Sequence, residues 1–549
     1  MSSTSHSKDN SNSDQTLPDY VYALLNPDIY TFEVNQIQLI QTHISYVFLA
    51  GDRVYKTKKP VDFGFINQLD LDQRHNNCIR EVDLNRRLAP DVYINIVMIA
   101  QSQSGEYKIF NANIPENFVL IEYAVEMQLL PSKAILANIL ANNVMPEQFP
   151  QKFAELILDF HSKNSLQEST TEFAGASAVQ IWWDRERQEA SKFIGSTWNA
   201  NDAKDFSLTI TKLLEQDTDL LNDRALGGHI VEGHGDLHSM HIYLLEQKII
   251  IVDCIEFNDW FHFRILDKGY DIAFTAMDLE ARGFPEVGDE IVGRYIAASG
   301  DETLPILQPL HRAFRAFVRG KVESIESNQI GIPREQKLEK KESAATYFTL
   351  ASKIIHERTD SFLILICGLS GTGKSTIGSQ LSARIGAAYL SSDIIRKKIA
   401  GIPLHNKISK QQSNEIYTTK MSQQTYTKMR ESAEQYIQKG YSVVLDATHH
   451  NMLDRKKVLD IAKKYNYETL IIDLQISETE ALSRIASRNF DPLAVSDATS
   501  EVYLKQVEQF TPISEKEGPK MVVKTNESPQ TIVKRIMHKI SSPTHKKLS

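Results

Sequence analysis

The period of apolar and polar positions changes four times along the chain. From about residue 20 to 125 they alternate in short runs such as HISYVFLAGDRVYKT. Period two is the signature of half-buried strands, and Gly51-Asp52 is a two-residue hairpin turn in this reading. Between about 128 and 225 apolar residues recur three and four apart, as in PEQFPQKFAELILDFHSKNS and LTITKLLEQDTDLL, which predicts a mostly helical lobe. Two strand-like runs, HIYLLEQ and KIIIVDCIEF, follow around a polar turn at Glu246-Gln247. Helical spacing resumes near 267 and continues through ATYFTLASKII, so this α+β half closes near residue 358.

A different pattern follows. FLILIC at 362–367 is a buried-strand run leading into a Gly-rich turn and a helix. AAYLSSD, YSVVLDAT, YETLIIDL and KMVVKTN are four further short strand candidates with helical segments between them. Strand and helix in alternation predict an α/β domain with a five-stranded parallel sheet covered by helices. The expected organisation is a tail at 1–17, a domain at 18–357, a second at 358–542 and a tail at 543–549. Ser, Asn, Asp and Thr dominate the first tail, MSSTSHSKDNSNSDQ, and bury too little apolar area to offset chain entropy, so disorder is expected there.

Composition narrows the function classes. With 549 residues, 42% hydrophobic and 24% charged, the chain can bury several cores. The 61 basic residues against 70 acidic ones give a net charge of −9, which supplies no basic field for duplex nucleic acid or an anionic membrane. Cys78, Cys254 and Cys367 are far apart and odd in number, which suits neither a disulfide framework nor a zinc site. No apolar run approaches the ~20 residues of a bilayer span, and the N-terminus shows no signal-type apolar stretch. The expectation is a soluble cytoplasmic protein without a membrane segment.

The most specific chemistry lies at Gly368-Leu369-Ser370-Gly371-Thr372-Gly373-Lys374-Ser375, followed by Thr376. It matches GxxxxGK[ST] between a strand and a helix, the context in which the motif cradles nucleotide phosphates. In that role loop amides and the helix N-terminus face the phosphates, Lys374 reaches the β- and γ-phosphates, and Ser375 ligates Mg²⁺. Asp393, at the carboxyl end of the second strand, is placed to accept the proton of an attacking hydroxyl, with Arg396 one helical turn on. Asp446, ending the third strand, is placed to orient Mg²⁺ through water as a Walker B carboxylate would. Arg484 and Arg488, at i and i+4 before a polar loop, are candidates for a lid over the triphosphate.

GLSGTGKST, SSDIIRKKIAG, VVLDATHHNMLDR and SRIASRNFDPLAVSDA together resemble the small P-loop kinases that include polynucleotide 5′-kinases and zeta-toxin-like kinases, over about 360–540. The resemblance implies that Asp393 is the base, with Arg396 beside it, and that Arg484 and Arg488 form the lid. It leaves the acceptor open.

His234-Gly235-Asp236-Leu237-His238, with Asp253 17 residues beyond Asp236, resembles the catalytic loop HGDLHxxN and later metal-binding Asp of the aminoglycoside and choline phosphotransferases, over about 20–350. That family has a two-lobed, protein-kinase-like fold. The resemblance implies Asp236 as catalytic base and Asp253 as Mg²⁺ ligand. His241 stands where the family has its metal-binding Asn, and imidazole is a poor partner for Mg²⁺. Glu256 or water is then required to compensate, or this half is weak in catalysis. Lys56 on a strand and Glu81 on the helical run EVDLNRRL are the candidate phosphate-positioning ion pair, with Lys58 on the same strand face an alternative to Lys56. The tryptophans of IWWDRER at 181–187 are expected to pack between helices, and His161 to be a helix-face histidine.

The whole arrangement resembles bacterial fused proteins that join an aminoglycoside-phosphotransferase-like half to a P-loop ATP-binding half. It implies an ATP- and Mg²⁺-dependent phosphotransferase acting on the hydroxyl of a small molecule, with a second kinase-like site in the N-terminal half. Two alternatives stand: an N-terminal pseudokinase that recognises a ligand and regulates the other half, and a polynucleotide 5′-hydroxyl kinase, which the acidic chain disfavours.

Overall fold

The computed structural model describes residues 17–64, 66–146, 148–166, 171–257, 263–329, 333–359, 361–409, 412, 415–488 and 490–541. The expected tails, Leu17 apart, lie outside these residues. The chain divides into two compact units, one of Met1–Ala134 with Ile250–Asn258 and one of Ile135–Ile249 with Asp259–Ser549.

The first unit is built on a six-stranded antiparallel sheet. Its strands are β1 (Ile37–Gln41), β2 (Ser45–Ala50), β3 (Arg53–Lys58), β4 (Tyr93–Ser102), β5 (Tyr107–Phe110) and β6 (Phe118–Gln128), in the order β1-β2-β3-β6-β4-β5. The alternation around Gly51-Asp52 folds as read: Ala50 pairs with Arg53, and Gly51 takes φ +60° in the turn. Phe48, Tyr55, Val97, Ile99 and Ala124 form this unit's core with Tyr20 and Leu24 of the short helix Asp19–Leu24. Because side chains alternate along β3, Lys56 and Lys58 share the face opposite Tyr55. There both meet Glu81 of the helix Leu71–Asn85.

The second unit begins with helices, among them Phe149–Lys163, Ala176–Ala190 and Ala200–Gln216. Strands β7 (Ile230–Glu232) and β10 (Ile265–Asp267) pair antiparallel, while β8 (Ile242–Leu245) and β9 (Lys248–Ile251) make a ribbon around Glu246 and Gln247, both at positive φ. Four helices follow: Lys268–Ala281, Pro285–Ser299, Leu304–Ser327 and Arg334–Ile355. Trp182 and Trp183 are buried against Phe206, Phe314 and Phe317, the interhelical packing expected of IWWDRER.

All five strand candidates of the C-terminal half form one parallel sheet. They are β11 (Phe362–Cys367), β12 (Ala388–Ser391), β13 (Val443–Asp446), β14 (Glu468–Gln475) and β15 (Lys520–Lys524), in the order β12-β13-β11-β14-β15. Every residue of β11 is buried, which is why it reads as an unbroken apolar run rather than an alternating one. The chain leaves β11 for one side of the sheet and later returns to the other. The crevice beyond the carboxyl ends of β11 and β13, where Ile366 pairs with Asp446, is therefore the topological switch point at which open α/β sheets bind ligands.

A single apolar core runs from the helices into β11, β12 and β13. Beside it, Arg384 near the end of the helix Lys374–Ile385 is buried and hydrogen-bonded to Glu280 (3.0 Å), Asp289 (2.8 Å) and Glu357 (3.0 Å). Arg312 joins the same network through Glu280 and Asp289. Helix Pro285–Ser299 approaches so closely that a Cβ on Gly293 would stand 2.6 Å from Gln380 Cγ. No helix among the described residues is long and apolar enough to cross a membrane.

Candidate functional site

Three glycines shape the turn after β11, at φ +151° (Gly368), +82° (Gly371) and +88° (Gly373). A Cβ on Gly371 would lie 2.5 Å from the Ala481 carbonyl oxygen, and one on Gly368 2.8 Å from that of Leu474. Backbone conformation and lack of space thus both demand glycine at Gly371. The helix Lys374–Ile385 starts directly behind the turn, so its N-terminal amides and its dipole face the same cradle. Lys374 folds back over the loop and donates to the Leu369 carbonyl at 2.9 Å. Burial lowers the pKa of this ammonium, against the opposite pull of Asp446 and Asp393.

Two carboxylates flank the lysine with contrasting electrostatics. Asp446, the last residue of β13, is buried and accepts a 2.6 Å hydrogen bond from the Tyr389 hydroxyl. Burial raises its pKa above the ordinary aspartate value despite Lys374, Tyr389 and Ser375 nearby. Asp393 lies in the first turn of the helix Ser392–Ala400, and Arg396 one turn on meets it at 3.2 Å. Burial pushes this carboxyl up as well, but Arg396, a hydrogen bond from Ser496, Lys374 and Arg488 together hold it below the ordinary value. Arg396 in turn lies 4.8 Å over the Tyr417 ring, which fixes its guanidinium.

Lys374, Ser375, Asp393, Arg396, Asp446 and Arg488 line one cavity of about 720 Å³, together with Ser370, Gly371, Gly373 and Thr376. Arg484 does not join its expected partner Arg488 on the wall. Its guanidinium donates to the Thr525 carbonyl at 2.6 Å and to the Thr525 hydroxyl at 3.3 Å, close beside Gly373. Gln506 accepts a 2.8 Å hydrogen bond from the Ser370 amide. Tyr389, Tyr417, Gln506 and Arg294 had no motif to reveal them, and Ser496 lies in the SRIASRNFDPLAVSDA segment, which pointed to its arginines alone. Arg294 lies on the helix Pro285–Ser299 yet lines the same cavity.

In the first unit, Lys56 Nζ stands 2.8 Å from Glu81 and 2.6 Å from Asp253. Lys58 is fully buried, 2.5 Å from Glu81 and bonded to Glu256. Burial lowers the Lys56 pKa, but Asp253, Glu81 and Glu256 outweigh it and hold the ammonium well above its ordinary value. Asp253 takes φ +66° just past β9, and its amide donates to the Tyr93 hydroxyl at 3.0 Å.

In the second unit the loop around Asp236 is tied down along its length. Asp271 accepts from the His234 and Gly235 amides at 2.8 and 3.0 Å, and Asp278 from the Ser239 amide at 3.0 Å. Arg315 donates to the Gly235 carbonyl at 2.9 Å and Thr275 to that of Leu237 at 2.7 Å. His161 is buried rather than on an open helix face. It bridges the Tyr295 hydroxyl (2.8 Å) and Asp271 (3.2 Å), orienting the carboxylate that holds the loop. Asp236 itself lies 3.5 Å from both His238 and His241, and against the upward push of burial these imidazoles hold its carboxyl well below the ordinary range.

Residues 363–513 match the family model described as an AAA domain. An uncharacterized protein of Mycobacterium tuberculosis (strain ATCC 25618 / H37Rv) is 28% identical over 412 residues, 75% of this chain and 78% of that one. Adenylate kinase of Pyrococcus furiosus is 30% identical over 136 residues, 24% of this chain and 58% of that one. Among solved structures, choline kinase from Cryptosporidium parvum Iowa II covers 62% of this chain and 96% of its own, at 12% identity and a TM-score of 0.38. The glycine cradle at the switch point of the five-stranded parallel sheet thus lies inside the segment, residues 363–513, that matches the AAA domain model.

Proposed function

We propose that this chain is an ATP-dependent phosphotransferase that moves the γ-phosphoryl group to a hydroxyl of a small molecule at the P-loop. The observation that carries the reading is the convergence of Lys374, Ser375, Asp446, Asp393 and Arg396 on one cavity behind a glycine cradle. The residues fit Mg²⁺ and a polyphosphate: the cradle excludes any Cβ at Gly371, and a hydroxyl and a carboxylate are the hard oxygen donors Mg²⁺ prefers. Ser375 and Asp446 would hold the ion, which when bound neutralises charge on the phosphate oxygens. Lys374 exchanges the Leu369 carbonyl for the phosphates. Asp393, kept ionised by Arg396 and Ser496, accepts the acceptor's hydroxyl proton on its carboxylate oxygen. Arg396, steadied on Tyr417, and Arg488 stabilise charge at the transferring group. Arg484 is a positioning residue that ties the Thr525 segment beside Gly373. The similarity to a protein named adenylate kinase supports this reading.

For the N-terminal half the reading keeps a kinase-like role, within the proposed limits 18–357, with the P-loop domain at 358–542. Lys56 is the better phosphate-positioning lysine, since its side chain is 14% exposed and that of Lys58 is 0%. Asp236 and Asp253 are the residues proposed for a second transfer. The other reading, a recognition module that regulates the P-loop domain, is favoured by the two imidazoles that already engage the Asp236 carboxylate.

One experiment separates these readings. Transfer from radiolabelled ATP to a pool of sugars, nucleosides, aminoglycosides and 5′-hydroxyl oligonucleotides is measured on wild type, Lys374→Ala, Asp393→Asn and Asp236→Asn. Lys374→Ala is expected to lower P-loop transfer by about 10²–10³-fold, the scale of losing one charge-stabilising donor. Transfer lost in Lys374→Ala and Asp393→Asn but kept in Asp236→Asn assigns catalysis to the P-loop and recognition to the other half. Full transfer in both P-loop variants overturns the proposal.

A further inference from the structure

We infer that Asp236, His238 and His241 form a binding site for a divalent transition-metal ion of the zinc class. The inference is independent of the P-loop reading and concerns a donor set that phosphoryl transfer at the P-loop does not use.

The argument begins with donor geometry. The Asp236 Oδ2 atom stands 3.5 Å from His238 Nε2 and 3.5 Å from His241 Nδ1. Zinc bonds of about 2.0–2.2 Å to nitrogen and oxygen, arranged tetrahedrally, hold neighbouring donors about 3.4 Å apart. All three candidate ligand atoms lie within 4.8 Å of one another, and the two imidazole rings are 4.1 Å apart centre to centre. The Asp236 main-chain carbonyl oxygen lies 3.0 Å from His241 Nδ1.

Donor chemistry selects the ion. Two imidazoles and one carboxylate make a nitrogen-rich set that suits Zn²⁺, Co²⁺ or Fe²⁺, whereas Mg²⁺ prefers oxygens and keeps its waters. The loop is also organised before any ion arrives. Asp271 and Asp278 hold its amides, Arg315 and Thr275 its carbonyls, and all four side chains are buried. Such bracing limits the ordering that the ligands must undergo on binding.

Binding requires a tautomer exchange in each ring. His238 Nδ1 accepts from the Met240 amide at 3.3 Å, so in the neutral ring its proton sits on Nε2, facing Asp236. Coordination through Nε2 moves that proton to Nδ1 and gives up this long hydrogen bond. In His241 the proton moves from Nδ1, beside the Asp236 carbonyl, to Nε2. Neither step changes the net proton count of a neutral ring, while a protonated ring releases one proton to solvent. An ion held this way engages the Asp236 carboxylate, which favours the recognition role over the base role for the N-terminal half.

The test uses the full-length protein, stripped with chelator and titrated calorimetrically with ZnCl₂ in excess MgCl₂. Wild type is expected to bind one equivalent of Zn²⁺ that the double variant His238→Asn/His241→Asn lacks. Each single variant should weaken binding by more than about 100-fold, since outer-shell partners alone account for about 10–100-fold. Equal stoichiometry and affinity in wild type and the double variant overturn the site. Circular dichroism monitors folding. Should the Asn variants unfold, His241→Cys loaded with Co²⁺ supplies the decision: a thiolate-to-cobalt charge-transfer band supports the site, and a Co²⁺ spectrum identical to wild type overturns it.

Discussion

Asp446 is buried and Asp393 half-buried in the same cavity, yet their surroundings drive them apart. The Arg396 guanidinium holds Asp393 below the ordinary aspartate value, while Asp446, whose hydrogen bonds come from neutral hydroxyls, is carried above it by burial. Divergent pKa values in one site are how two carboxylates take different tasks, here those proposed for them, proton acceptor and metal ligand. Replacing Arg396 by Gln removes the largest opposing charge, so burial raises the Asp393 pKa. Because the active form is the ionised one, the acid limb of the kcat/KM profile for transfer is expected to move to higher pH. An unmoved limb would show that Asp393 is not the base. The pair was legible in the sequence because i and i+3 on a helix are neighbours. Tyr389 was not, since it is 57 residues from Asp446 and only the register of β12 against β13 brings the hydroxyl there.

At the scale of the element, the glycine turn after β11 is constrained both by positive φ and by close neighbours. Gly371→Ala must adopt φ +82° with its Cβ 2.5 Å from the Ala481 oxygen. Holding a side chain in that region costs about 1–3 kcal/mol. The clash adds to this by pushing the loop away from helix Glu478–Arg488. A lower urea midpoint and loss of ATP binding are expected, and a variant that binds ATP as tightly as wild type would contradict the cradle. Strands and helices such as these were readable from period and turn chemistry, because both are local. The displacement of Arg484 onto Thr525 was not, because i and i+4 spacing gives a shared face but not which neighbour each side chain reaches.

Over the larger unit, buried charge joins segments that are far apart in sequence. Glu280 is surrounded by Arg312, Arg384 and Lys353, and despite the upward push of burial its carboxyl falls from 4.5 to about 2. A depressed folded-state pKa contributes stability that is complete above about pH 4.5 and is lost as pH falls toward 2. Glu280→Gln leaves two buried guanidinium groups short of a counter-charge, a change that typically costs about 3–5 kcal/mol. Urea unfolding should show that deficit at pH 7 and a smaller one at pH 4. A constant difference across that range would mean the ion pairs do not support the fold. None of these partnerships could be read from the sequence, since nothing local to Glu280 points to Arg384, 104 residues away.

The three acids that neutralise Arg384, Glu280, Asp289 and Glu357, all precede residue 358, whereas the arginine and the phosphate loop follow it. The helix Lys268–Ala281 carries Asp271 and Asp278 to the Asp236 loop and Glu280 to Arg384, so a chain cut near residue 358 would strand a buried cation on one product. Residues on the two sides of 358 therefore depend on one another for charge balance, and either stretch made alone would hold a buried charge without its counterpart.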